Sequence, residues 1–139
     1  MELMSLYDLA ERDGIIVNAF SLDGCESLAL ELNGRCYVAI DPFKLKSTAD
    51  EKTKLGHEIG HGETGSFYNC YSCFDERQRN ETRATRWAIQ HLVPFDDMRE
   101  AMKEGCVTPW DLAERFGVTE DFMRQAYGYY TGPCGREFE

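Results

Sequence analysis

The chain has 139 residues, a length that fits one compact domain spanning 1–139 and can bury a core without disulfide or metal staples. Apolar residues make up 42% and charged residues 29%, which excludes a disordered or collagen-like chain. Lys and Arg number 15 against 25 Asp and Glu, a net charge of −10 that repels a phosphate backbone and argues against a nucleic-acid partner.

In chain order, Ser5 to Arg12 reads as an opening helix with Leu6, Leu9 and Ala10 on one side. Ile15 to Phe20 has the β-branched and aromatic content of a strand. Ser27 to Leu32 and Arg35 to Ile40 flank Asn33-Gly34, a strong hairpin signal because both turn positions need positive φ. A small antiparallel sheet of about three strands is therefore expected in the first third. Beyond Asp41-Pro42 the period turns helical. Thr48 with Glu51 predicts a capping box opening a helix to about His61, and Gly62 and Gly65 supply its stop.

A loop from Ser66 to Phe74 leads to a helix over about Asp75 to Val93 that ends at Pro94. Shorter helices follow near Phe95–Glu104, Thr108–Phe116 and Thr119–Tyr127, with Thr108 and Thr119 at cap positions and Gly105 and Gly117 as breaks. The expected fold class is α+β: a small sheet followed by a mostly helical C-terminal half.

The apolar runs, Gly14–Val17 and Tyr37–Ile40 among them, are too short to span a membrane. The opening Met1-Glu2-Leu3-Met4-Ser5 has no basic region and no long apolar stretch, so it is not read as a signal peptide. The expected location is cytoplasmic. Thiols stay reduced there, so the six cysteines (25, 36, 70, 73, 106 and 134) read as free thiols rather than a disulfide framework.

His57-Glu58-Ile59-Gly60-His61 is the stretch that carries chemistry. Histidines four apart on a helix lie about 40° apart in projection and one turn apart along the axis, so both rings can reach one ion. Imidazole nitrogen suits zinc, and the glutamate between them can take a proton from water activated by it. Helical projection sets Leu55 and Ile59 on one side, with His57 and His61 about 200° and 240° around from Leu55. One face of the helix thus turns to the core and the other to a cleft.

Glu81 is the candidate third ligand, 20 residues past His61 at the head of the following helix. It projects with Ala84, Ala88 and Leu92, and a carboxylate on a buried stripe is costly unless it is paired or metal-bound. Asp75 and Glu76 project at about 120° and 220° from it, away from that stripe. The plain alternative is a glutamate placed near a helix start by the macrodipole. Ala84 and Ala88 are small enough to let this helix approach the one carrying the histidines.

The run His57 through Tyr68 (HEIGHGETGSFY), then Glu81-Thr82-Arg83-Ala84, Trp87-Ala88 and Leu92-Val93-Pro94, resembles the ImmA/IrrE family of metallo-endopeptidases. The resemblance implies a zincin-like, gluzincin-type core, with His57, His61 and Glu81 as zinc ligands and Glu58 as catalytic base. Two positions depart from the family pattern. Thr85 stands where Asn or Asp is usual, and its hydroxyl can still bond a neighbour of the metal. His91 stands where leucine is usual; projecting about 80° off the Glu81 stripe, it reads as a neighbour of Trp87 rather than a ligand.

On this reading Glu58 takes a proton from water and passes it to the leaving amine. Tyr68 is a candidate oxyanion donor, set against the preferred reading of a loop aromatic packed on the core. An extended peptide can add to an exposed sheet edge. The resemblance further implies a protein substrate, a helix-turn-helix repressor of a prophage or mobile element.

Other signals point elsewhere. Cys70-Tyr71-Ser72-Cys73 is a CxxC without a second pair, read as reduced loop thiols near the site. Asp111 to Thr119 looks like the start of a helix-turn-helix, yet Cys106–Glu139 carries three basic and six acidic residues, the wrong sign for DNA. Two packed helices closing the core is the better account. The rival to the enzyme is a regulatory or protein-binding module on the same fold, with a structural metal or none; a DNA-binding regulator is the weaker third.

Overall fold

The computed structural model describes residues 1–69 and 71–138. Its elements are α1 (Leu3–Arg12), β1 (Ile16–Ala19), β2 (Ser27–Leu32), β3 (Arg35–Ile40), α2 (Thr48–Thr64), α3 (Phe74–Leu92), α4 (Phe95–Lys103), α5 (Pro109–Phe116) and α6 (Glu120–Thr131). This is an α+β fold with three strands and a mostly helical second half, as expected. No helix among the described residues is long and apolar enough to cross a membrane.

The hairpin forms where Asn33-Gly34 places it. Asn33 (φ 53°) and Gly34 (φ 79°) supply the two positive φ values, and β2 pairs antiparallel with β3 from Ser27 opposite Ile40 to Leu32 opposite Arg35. The sheet is nevertheless mixed rather than antiparallel throughout. The strand order is β1-β3-β2, and β1 runs parallel to β3 with Ile16 opposite Tyr37. The connection after β1 reverses the chain but skips a place in the sheet, passing over the end of β3 to reach the start of β2. Asp41 pins that crossing, its carboxylate accepting from the Leu22 N–H at 2.9 Å while its own N–H donates to the Glu26 carbonyl at 2.9 Å. Lys44 adds a hydrogen bond to the Cys25 carbonyl at 3.1 Å.

Strand β3 is central and feeds Val38 and Ile40 into the core, where they meet Leu6 and Ala10 of α1 and Leu55 and Ile59 of α2. Leu55 and Ile59 are wholly buried, each worth about 1.5–3 kcal/mol relative to exposure. Helix α2 starts one residue earlier than the capping-box reading: Ser47 is the N-cap, its hydroxyl accepting from the Asp50 N–H at 3.0 Å. Ser and Thr compete for the cap at adjacent positions, and only backbone geometry chooses between them. At the other end Gly65, with φ 63°, forms the left-handed C-cap.

Gly62 does not stop α2 but lies inside it. A Cβ there would stand 2.7 Å from Cys36 Sγ and 3.0 Å from Ile15 Cδ1, so this glycine serves close packing on the sheet. Helices α5 and α6 close the core with Leu112, Phe122 and Met123, the role expected for the segment with the helix-turn-helix look. They also brace α2: buried Lys52 donates to the Phe116 carbonyl at the end of α5, and Thr53 Oγ1 accepts from the Thr119 N–H at 3.2 Å.

Candidate metal centre

Helices α2 and α3 pack against each other because glycine faces alanine. A Cβ on Gly60 would stand 2.5 Å from the Ala84 carbonyl oxygen, closer than such atoms approach. The small stripe of Ala84 and Ala88 therefore does what its residue sizes suggest. That approach brings Glu81, one turn before Thr85 on α3, over the cleft face of α2.

Nε2 of His57 is 2.7 Å from Glu81 Oε2, and Nε2 of His61 is 3.3 Å from Glu81 Oε1. The two rings are perpendicular, with centroids 4.8 Å apart. One ligand atom from each of the three residues lies within 4.8 Å of the others, in a set of two imidazole nitrogens and one carboxylate oxygen. Such a set is what a zinc or similar divalent ion takes, with room for a further ligand.

The outer ring nitrogens support this arrangement. His61 Nδ1 lies 2.6 Å from the Ser66 carbonyl, which can only accept, so that nitrogen carries the hydrogen and Nε2 is the one to face a metal. His57 Nδ1 lies 3.2 Å from the Thr85 hydroxyl. Thr85, the departure from the family pattern, thus keeps a bonding role beside the ring. Burial opposes charge on His61, but the Glu81 carboxylate and the Ser66 carbonyl outweigh it and raise its pKa. The hydrogen bonds from His57 and then His61 hold the Glu81 carboxyl well below the usual carboxylate range.

Glu58 points from the same helix into the same cavity, a cleft of about 370 Å³ that also includes Ser27, Phe67 and Tyr68 in its walls. It is buried, at 7% exposure. Burial pushes its pKa up, while the Ser27 hydroxyl, donating to Oε2 at 2.6 Å, and the charges of His57 and His61 pull it back. All four residues singled out from the sequence therefore meet in one place.

Tyr68 is neither packed on the core nor free. It is half-exposed, and its hydroxyl donates to Glu81 Oε1 at 2.7 Å, which together with burial pushes its pKa up to about 12. The preferred reading of a core aromatic is corrected here: the loop after Gly65 carries Tyr68 back across the cleft. His91 does as expected, its ring stacked on Trp87 with centroids 3.9 Å apart and Nδ1 donating to the Trp87 carbonyl at 2.8 Å. Of the CxxC, Cys70 lies outside the described residues, and Cys73 is an exposed free thiol at the N-cap of α3. Ser27 and Ser66 were missed because serines on a strand and in a loop carry no spacing signal of their own.

Paired histidines one turn apart, a glutamate between them and a second glutamate from the next helix define a metallopeptidase arrangement. The chain belongs to the peptidase M78 family: residues 43–126 match the model of its IrrE N-terminal-like domain. No curated protein matches the chain.

Proposed function

We propose that the chain is a cytoplasmic zinc endopeptidase in which His57, His61 and Glu81 hold the ion and Glu58 is the catalytic base. The observation that carries this reading is the convergence of the three ligand atoms within 4.8 Å beside a buried carboxylate in the same cleft. A zinc ion bound there supplies Lewis acidity that polarises the scissile carbonyl and lowers the pKa of water.

The chain's own residues do the rest. Glu58, its pKa raised by burial, accepts the proton of the attacking water and returns it to the leaving amine. Ser66 and Thr85 orient the two imidazoles, and Tyr68 steadies the Glu81 carboxylate. Strand β2 is a sheet edge, and its Ser27, Leu28 and Ala29 line the cleft. An extended substrate pairs with that edge and lays its backbone past Glu58.

The substrate is a protein, and the resemblance to ImmA/IrrE proteins supports a helix-turn-helix repressor of a prophage or mobile element. Co-expression with a helix-turn-helix repressor from the same genome tests the proposal. Wild type is expected to yield two repressor fragments by mass, and Glu58→Gln none. Intact repressor in both strains, with zinc bound, favours the binding-module reading instead.

A further inference from the structure

We infer that Ser27 is a positioning residue for the catalytic base, holding Glu58 by Oε2 so that Oε1 is presented to the attacking water. The inference rests on the hydrolase reading above, and Ser27 lies outside the residues that match the family model. Its hydroxyl donates to Glu58 Oε2 at 2.6 Å, the short distance of a charge-assisted O–H···O bond. Among the described residues no group donates to Oε1, and no buried side-chain polar atom without a partner is sealed from solvent, so Oε1 opens onto the cleft.

The donor is held as firmly as the acceptor. Ser27 is the first paired residue of β2, opposite Ile40. Glu26, just before it, is tied twice: its carbonyl accepts from the Asp41 N–H at 2.9 Å, and its carboxylate meets Lys54 Nζ at 2.8 Å. Lys54 precedes Glu58 by one turn of α2. Two consecutive residues, Glu26 leading into the strand and Ser27 opening it, therefore engage two helix residues one turn apart, and this two-point clamp fixes the hydroxyl against the carboxylate. Glutamate has three side-chain torsions, and a misplacement of about 1 Å in a reacting group costs on the order of 100-fold in rate. Removing one oxygen from Ser27 frees those torsions while leaving the strand pairing and the three ligand residues alone.

The test uses the full chain as wild type, Ser27→Ala, Ser27→Thr and Glu58→Gln. Zinc-loaded proteins are assayed on a quenched-fluorescent peptide spanning the bond that wild type cuts in the co-expressed repressor. Ser27→Ala is expected to lower kcat about 10- to 100-fold with KM within about twofold and zinc content unchanged. Ser27→Thr, which keeps the hydroxyl, is expected to recover most of kcat. Full kcat in Ser27→Ala, equal damage in Ser27→Thr, or zinc lost from Ser27→Ala overturns the inference.

A second measurement needs no turnover. In metal-free chains labelled with ¹³C at glutamate Cδ, the Glu58 resonance is assigned by its disappearance in Glu58→Gln. It is expected to move in Ser27→Ala and to return in Ser27→Thr; an unmoved resonance overturns the placement. Wild type that cleaves nothing while the resonance moves overturns the hydrolase reading and supports the hold of Ser27 on Glu58.

Discussion

Thr85 Oγ1 lies 3.2 Å from His57 Nδ1, on the outer side of the ring whose Nε2 faces Glu81. The contact joins the two helices of the site through a hydroxyl one turn beyond the third ligand. When Nε2 binds a metal, Nδ1 carries the ring hydrogen, and the Thr85 hydroxyl is placed to accept it. Thr85→Val removes that acceptor at nearly constant volume. Zinc affinity is expected to fall about 10- to 100-fold, read by competition with a chelating dye, and Thr85→Asn to hold it near wild type.

The ligand set itself makes a stoichiometric prediction. Purified chain is expected to carry one zinc ion by elemental analysis, and His57→Ala, His61→Ala and Glu81→Ala to carry none. A ligand at 1,000 times its Kd stabilises the fold by about 4 kcal/mol. Chelation should therefore lower the melting temperature of wild type and leave the three variants where they are.

Gly60 decides how close the two ligand-bearing helices come. Gly60→Ala places a Cβ 2.5 Å from a backbone oxygen of Ala84, which cannot swing aside as a side chain would. The expected cost is about 1–3 kcal/mol of stability, with zinc affinity lost as α3 is pushed away. Gly128→Ala in α6 is the control: among the described residues nothing beyond its chain neighbours and its own helix backbone lies within 4 Å of its Cβ, and helix propensity favours alanine by about 1 kcal/mol. Chemical denaturation of both variants separates the two cases.

Asp41 predicts the response to acid. The Leu22 N–H, then that of Phe43 and the Lys44 ammonium, lower its pKa in the fold against an ordinary value of 3.8, outweighing the effect of burial. The folded state thus binds fewer protons than the unfolded state between the two values. Stability from this group is present above pH 3.8 and lost as pH falls through the folded pKa. Asp41→Asn is expected to be less stable at neutral pH and to lose less on acidification, measured by denaturant midpoints across the acid range.

How much of this was legible in the residues depends on the range of each signal. The hairpin needed only Asn33-Gly34 and its flanking runs, a local signal, and both strands fall on the expected residues. The cap of α2 slipped by one residue because Ser47 and Thr48 are chemically equivalent candidates and the backbone selects one. Gly62 reads as a helix stop in the sequence because its structural reason, contact with Cys36 and Ile15, is not written near it in the chain.

Residue spacing is enough to specify the helix with its histidines four apart, the glutamate between them, and the small-residue stripe that carries Glu81. Those are periodicities, and a helix turns residue spacing directly into facing. The tertiary structure alone decided that β1 joins β3 in parallel, that β2 is the edge beside the cleft, and that Ser27, Ser66 and Tyr68 bond Glu58, His61 and Glu81. Those contacts join separate segments of the chain, and no local pattern encodes a distance that only packing sets.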